Sequence, residues 1–139
     1  MPPFLADAAS DSTEPLTGWT MVLTLAVLAV APAILIAAGC LGARGLLRPN
    51  LVFGIRTTYT LSDDDAWYTV HSLSAPWTIA SGAVMALSVV LPPFFTDDVR
   101  LQTAVMLAPM GAGLVLLCLG VRRAERAARS RAARDTGAR

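Results

Sequence analysis

The sequence predicts an all-α membrane protein: three transmembrane helices, with a short amphipathic interfacial helix in the first (cytoplasmic) loop. Three observations carry that reading. Leu16 to Ala43, Ser72 to Thr96 and Leu101 to Val121 are runs of 28, 25 and 21 residues without a charge. Of the 139 residues, 55% are hydrophobic and 15% charged, with a mean hydropathy of +0.58, whereas a soluble domain carries about 25% charged residues. The basic residues, all of them arginine, are divided very unequally among the segments that join the runs.

Residues 1–15, with Pro2, Pro3 and the polar cluster Ser10 to Thr13, read as a disordered acidic tail. The first run is too long for the core of a signal peptide. Asp7, Asp11 and Glu14 precede it where basic residues would be needed. It is therefore a retained span over 18–42, followed by spans over 75–95 and 101–122. At about 1.5 Å per residue each crosses a hydrocarbon layer of roughly 30 Å. The chain divides into the tail 1–15, a membrane domain 16–122 and an Arg-rich cytoplasmic tail 123–139.

The arginines orient it. None precedes the first run. Arg44, Arg48 and Arg56 lie in the first connection, Arg100 stands with Asp97 and Asp98 in the second, and seven follow Val121. An outside N-terminus and a cytoplasmic C-terminus place ten of eleven arginines inside, as the positive-inside rule requires. The expected location is the cell membrane, with the bilayer as the first partner.

Small residues spaced by four, Ala29/Ala33/Ala37, Gly82/Ala86 and Ala104/Ala108/Ala112, are the expected faces of helix contact and would also serve a homo-oligomer. Pro32 and Pro109 fall within spans. No Asp, Glu, Lys, Arg or His lies inside a span. That argues against ion-coupled transport by a single copy. No phosphate loop, nucleophile elbow or paired general acid and base is present, so no enzyme and no cofactor is expected. One histidine near three aspartates lacks the spacing of a zinc or calcium site. Cys40 and Cys118 read as small packing residues. Arg122, Arg126 and Arg129 share one helical side; such a segment meets anionic headgroups first, so it is read as a topology anchor and not as a specific nucleic-acid binder.

The stretch Pro49 to Ser72 differs from everything around it. Pro49 is expected to end the first helix, because the residue before a proline disfavours helix. Asn50 suits a turn, and Gly54 permits backbone angles closed to Phe53 or Ile55. Ser62 is the expected N-cap, with Asp65 in capping-box position and Asp63 and Asp64 at the positive end of the dipole. A short helix over 63–73 would set Trp67 and Tyr68 at headgroup level, and Pro76 would open the second span. Arg56, seven to nine residues before Asp63 to Asp65, is placed to pair with a carboxylate across the turn. Two readings stay open. Arg56, Asp63 to Asp65 and His71 form a polar platform for a partner, or they are a loop staple, a helix cap and a solvated interfacial histidine.

Asn50, then Phe53-Gly54-Ile55-Arg56-Thr57, Thr60-Leu61-Ser62, Ala66-Trp67-Tyr68 and His71 resemble the signature of the SdpI family. These are bacterial membrane proteins named for the immunity protein of the sporulation-delaying peptide toxin system. The resemblance covers about residues 50–71, and the three-helix layout agrees across 16–122. It implies a non-enzymatic membrane protein related to toxin immunity and membrane-based signalling, with a peptide toxin or a cytoplasmic regulator as partner. The motif residues it singles out are Asn50, Phe53, Gly54, Arg56, Thr57, Thr60, Ser62, Trp67, Tyr68 and His71. Better-known members carry further transmembrane helices before this unit, and the position after His71, often basic in them, is Ser72 here. A second reading is an accessory subunit packed against a larger transporter or sensor.

Overall fold

The computed structural model describes residues 15–50 and 52–137, so the expected acidic tail lies, but for Pro15, outside the described residues. These residues form helix α1 (Gly18–Ala43), helix α2 (Asp64–Val90), a 3-10 turn (Pro92–Phe94) and helix α3 (Val99–Gly137). No strand occurs among them. All three helices are long and apolar enough to cross a membrane.

Helix α1 stops earlier than Pro49. Arg44 caps it and Gly45 follows at φ +66°. The Leu46 N–H donates to the Leu41 carbonyl at 2.9 Å and the Gly45 N–H to the Gly42 carbonyl at 3.2 Å. This crossed pair is a Schellman ending, which glycine reaches without steric cost. Helix α2 also departs from expectation. Its N-cap is Asp63, whose carboxylate accepts from the Ala66 N–H at 3.3 Å. Ser62 instead donates to the Tyr59 carbonyl at 2.8 Å. There is no separate interfacial helix over 63–73: those residues are the first turns of one 27-residue helix that runs through Pro76. Packing against both neighbours outweighs the backbone bond that an interior proline forfeits.

Helix α2 is the middle element. Both α1 and α3 pack on it, while no Cα of α1 comes within 8 Å of α3. Its buried hydroxyls bond back into their own helix: Ser74 to His71, Thr78 to Ser74, Ser81 to Trp77 and Ser88 to Met85. Polar atoms can thus sit at a helix interface without needing water.

Glycines, not the alanine ladders, mark close approaches between the helices. Gly39 and Gly42 of α1 lie on Ile79 and the His71 backbone, and Gly82 faces Ile36 and the Pro32 carbonyl. Gly113 and Gly120 of α3 lie on Met85 and Trp77. Ala33, Ala37, Ala104, Ala108 and Ala112 are exposed; of the ladder residues only Gly82 is buried. Spacing by four arises on any face of an alanine-rich helix. Removing the last methyl is what lets two backbones approach closely.

Gln102, in the first turn of α3, was not singled out by sequence. It is 2% exposed. Its Nε2 donates to the Leu16 carbonyl at 3.0 Å and its Oε1 accepts from the Leu16 N–H at 2.6 Å. This double bond to the backbone before α1 ties α1 to α3 at the end away from the long loop. Gln102→Leu keeps the bulk and removes both bonds, and should cost about 2 kcal/mol. The thermal midpoint in detergent is the measure; an unchanged midpoint would show the clasp to be energetically idle.

Helix α3 has 39 residues, about 58 Å of helix, well beyond the ~20 residues that a bilayer requires. It does not stop at 122. Ala124 and Ala128 form a buried cluster with Val70, edged by Ile55, Tyr59 and Leu73. The guanidinium of Arg123 lies 5.2 Å from the centre of the Trp77 ring and that of Arg129 5.0 Å from Tyr59, and Arg129 also pairs with Glu125. The start of the Arg-rich segment, through Ala128, is therefore a continuation of α3 packed on α2 and the loop. Cys40 is half-buried, but Cys118 is exposed and is not a packing residue.

Candidate functional site: the loop between α1 and α2

Between α1 and α2, the described residues of 44–63 form no regular helix. Side chains hold their shape. Asn50 accepts from the N–H groups of Val52 (3.0 Å) and Phe53 (2.6 Å) and donates to the Arg48 carbonyl (2.9 Å). This uses its short amide as a substitute for backbone. Thr57 and Thr60, three positions apart, bond reciprocally. The Thr57 N–H donates to Thr60 Oγ1 at 2.9 Å and the Thr60 N–H to Thr57 Oγ1 at 3.3 Å. The Thr60 hydroxyl donates on to the Ile55 carbonyl at 2.8 Å.

Two side chains of α2 fasten the loop from below. Trp67 is 0% exposed and its indole N–H donates to the Leu47 carbonyl at 2.8 Å. His71, 5% exposed, takes the Ile55 N–H on Nε2 at 2.8 Å, and its Nδ1 lies 2.8 Å from the Trp67 carbonyl. A backbone N–H can only donate, so Nε2 is the acceptor and Nδ1 carries the proton. The ring is thus neutral, with a tautomer set by its partners. The two rings lie 4.2 Å apart. Gly54, at φ +110°, passes directly over them: a Cβ there would fall 2.7 Å from His71 Nε2 and 3.1 Å from the Trp67 ring.

Asn50, Gly54, Thr57, Thr60, Trp67 and His71 are thus brought together, with Thr60, Trp67 and His71 buried. Trp67 and His71 are both buried within the protein, so His71 is not a solvated residue. Both lie beneath the loop because their ring nitrogens match backbone groups that would otherwise be buried without partners. Phe53 is half-exposed at the loop's edge, and Tyr68 is half-buried beside Asp65 and Arg131. Arg56 is exposed, and among the described residues it forms no ion pair with Asp63, Asp64 or Asp65. No buried side-chain nitrogen or oxygen among the described residues lacks a partner. Nor, among them, are three His, Cys, Asp or Glu side chains grouped to hold a metal. Sequence reasoning missed the Leu47 carbonyl and the Ile55 N–H, backbone groups that carry no residue signal.

Beneath the loop is a cavity of about 240 Å³, walled by all three helices and roofed by Phe53, Gly54 and Ile55. Its polar side chains, His71, Ser74 and Thr78, spend their donors within α2.

In comparison with known proteins, residues 47–121 match the model of a family described as the SdpI/YfhL protein family. The match spans more than half of the chain, from the residue whose carbonyl receives the Trp67 indole to the last α3 residue of the cavity wall. No curated protein and no solved structure matches.

Proposed function

Because the chain belongs to the SdpI/YfhL protein family and is an integral membrane protein of it, we propose that the segment of residues 50–72, the loop with the first turns of α2, is a preorganised element for capturing a partner. The protein is non-enzymatic. Its N-terminus is outside and the loop and C-terminus are cytoplasmic, as the arginine distribution favours. The partner is a membrane-active peptide, against which the protein protects, or a regulator that it holds at the membrane.

One observation carries this reading. The buried motif side chains fold the loop onto α2, while Arg56 stands exposed and outside any ion pair with the neighbouring aspartates. A guanidinium on a rigid support binds carboxylate or a carbonyl-rich surface with little ordering cost. The test is a photo-crosslinking residue at the exposed position Thr58 in living cells. A discrete crosslinked product should form, and Arg56→Ala should reduce it about tenfold, the equivalent of 1.4 kcal/mol, at unchanged membrane abundance. Equal yield with Arg56→Ala, or no product, would refute the proposal.

The exposed face Ala104/Ala108/Ala112 on α3 favours a second reading, an accessory subunit whose small residues meet a larger membrane protein. A stoichiometric membrane partner retained in mild detergent, and lost in Ala108→Leu, would favour it.

A further inference from the structure

We infer that His71 is a proton-operated latch: a proton added at its Nε2 breaks the bond to Ile55 and releases the loop from α2. Of the α2 side chains that reach into the loop, Trp67 holds the Leu47 carbonyl near its start and His71 holds the Ile55 N–H in its middle. The bonds of Asn50 and of the Thr57–Thr60 pair stay within the loop and tie nothing to α2.

An imidazolium carries N–H on both nitrogens and accepts nothing. Nδ1 lies 2.8 Å from the Trp67 carbonyl, and that bond survives protonation. Nε2 lies 2.8 Å from the Ile55 nitrogen, where a second proton would set two donors against each other. Turning the ring aside is blocked. It stacks 4.2 Å from the Trp67 ring, and Gly54 passes so close that a Cβ there would stand 2.7 Å from Nε2. The loop therefore yields, and Gly54, free of side-chain restraint, is where it can bend. Lifting Phe53, Gly54 and Ile55 also unroofs the cavity beneath them.

Nothing around the imidazole compensates an added charge. Its neighbours are Gly42 of α1, Gly54 and Ile55 of the loop, Trp67 of α2 and, across the cavity, Leu117 and Val121 of α3. None of them titrates. The charges beside these positions in the chain, Arg44, Arg56 and Arg122, are exposed and positive. On α2, Asp64 precedes His71 by seven residues, about 10 Å along the axis. Asp63, Asp65, Tyr68 and Arg131 line a different cleft. An open loop instead leaves the imidazole in an ordinary setting, titrating near 6.5. The open form thus binds the proton more tightly. Closure is undiminished above that pH and loses up to about tenfold in equilibrium constant per pH unit below it.

His71 is the chain's one histidine, so nitrogen-15 labelling of histidine gives a single imidazole to follow in the full chain in nanodiscs. At pH 7.5 the ring should be neutral with its proton on Nδ1. Between pH 6 and pH 5 the Ile55 amide, corrected for intrinsic exchange, should lose about tenfold in protection, while amides of α1 and α3 keep theirs. Imidazolium should appear only where that protection has fallen. His71→Gln cannot titrate and should leave Ile55 protection flat. If that variant misfolds by circular dichroism, ring and amide of the parent decide together. Constant Ile55 protection to pH 5, imidazolium beside a protected Ile55, or loss shared equally by α1 and α3 would each overturn the latch. So would the same acid loss in a folded His71→Gln. The latch lies in the segment read above as a capture element but needs no partner: exchange at Ile55 tests the one, and the Thr58 crosslink the other.

Discussion

Trp67→Ala should lower the stability of the protein by about 4 kcal/mol, the range found when a large buried aromatic side chain is truncated. The indole is fully buried, stacks on His71, and supports both the Leu47 carbonyl and the loop at Gly54. Truncation leaves a void under the loop and an orphaned carbonyl. Trp67→Phe separates the two contributions: most of the packing stays and the hydrogen bond is lost, for about 1–2 kcal/mol. Reversible unfolding in mixed micelles measures both variants. A Trp67→Ala protein within ~1 kcal/mol of the parent would mean that the loop is held by something else. Destabilisation centred at the loop should also raise amide exchange over 47–60 before it does so in α3.

Gly54→Ala should cost about 3 kcal/mol or more from two sources, backbone strain and overpacking. At φ +110° an L side chain is strained wherever it stands, and here the added methyl meets His71 Nε2 and the Trp67 ring as well. Gly45 separates the two. It also has positive φ, +66°, yet a Cβ there meets nothing within 4 Å. Gly45→Ala should therefore show the conformational cost alone, about 1 kcal/mol. If the two variants are equally stable, the close passage over the rings is without consequence. If Gly54→Ala is much the weaker, the difference measures how tightly the loop sits on α2.

Several features of the motif could be read from residue type. A proline, an asparagine and a glycine near one another mean a turn wherever they fall, and the loop between α1 and α2 is where they fall. Family membership was legible in the same way, in the spacing of Asn50, Gly54, Arg56, Trp67 and His71. The direction of those side chains was not. Amphipathic preference puts an isolated tryptophan at the headgroups and an isolated histidine in water. Both went inward because Leu47 and Ile55, 20 and 16 residues away in the chain, offered a carbonyl and an N–H in need of partners. Likewise, Asp63 displaced Ser62 as the N-cap once α2 became a single helix beginning at Asp64.

Apolar length is a local property, additive along the chain, so the sequence by itself determined that there are three membrane-length helices, and roughly where they lie. Which faces meet is a property of pairs. The glycines at 39, 42, 82, 113 and 120 became contacts, and three exposed alanines of α3 did not, only when α2 took the middle place. The tertiary structure alone decided the neutral imidazole under the loop, the Gln102 clasp and the cavity between α1 and α3. Each depends on backbone groups or surfaces far apart in the chain, and residue identity carries no record of such a meeting.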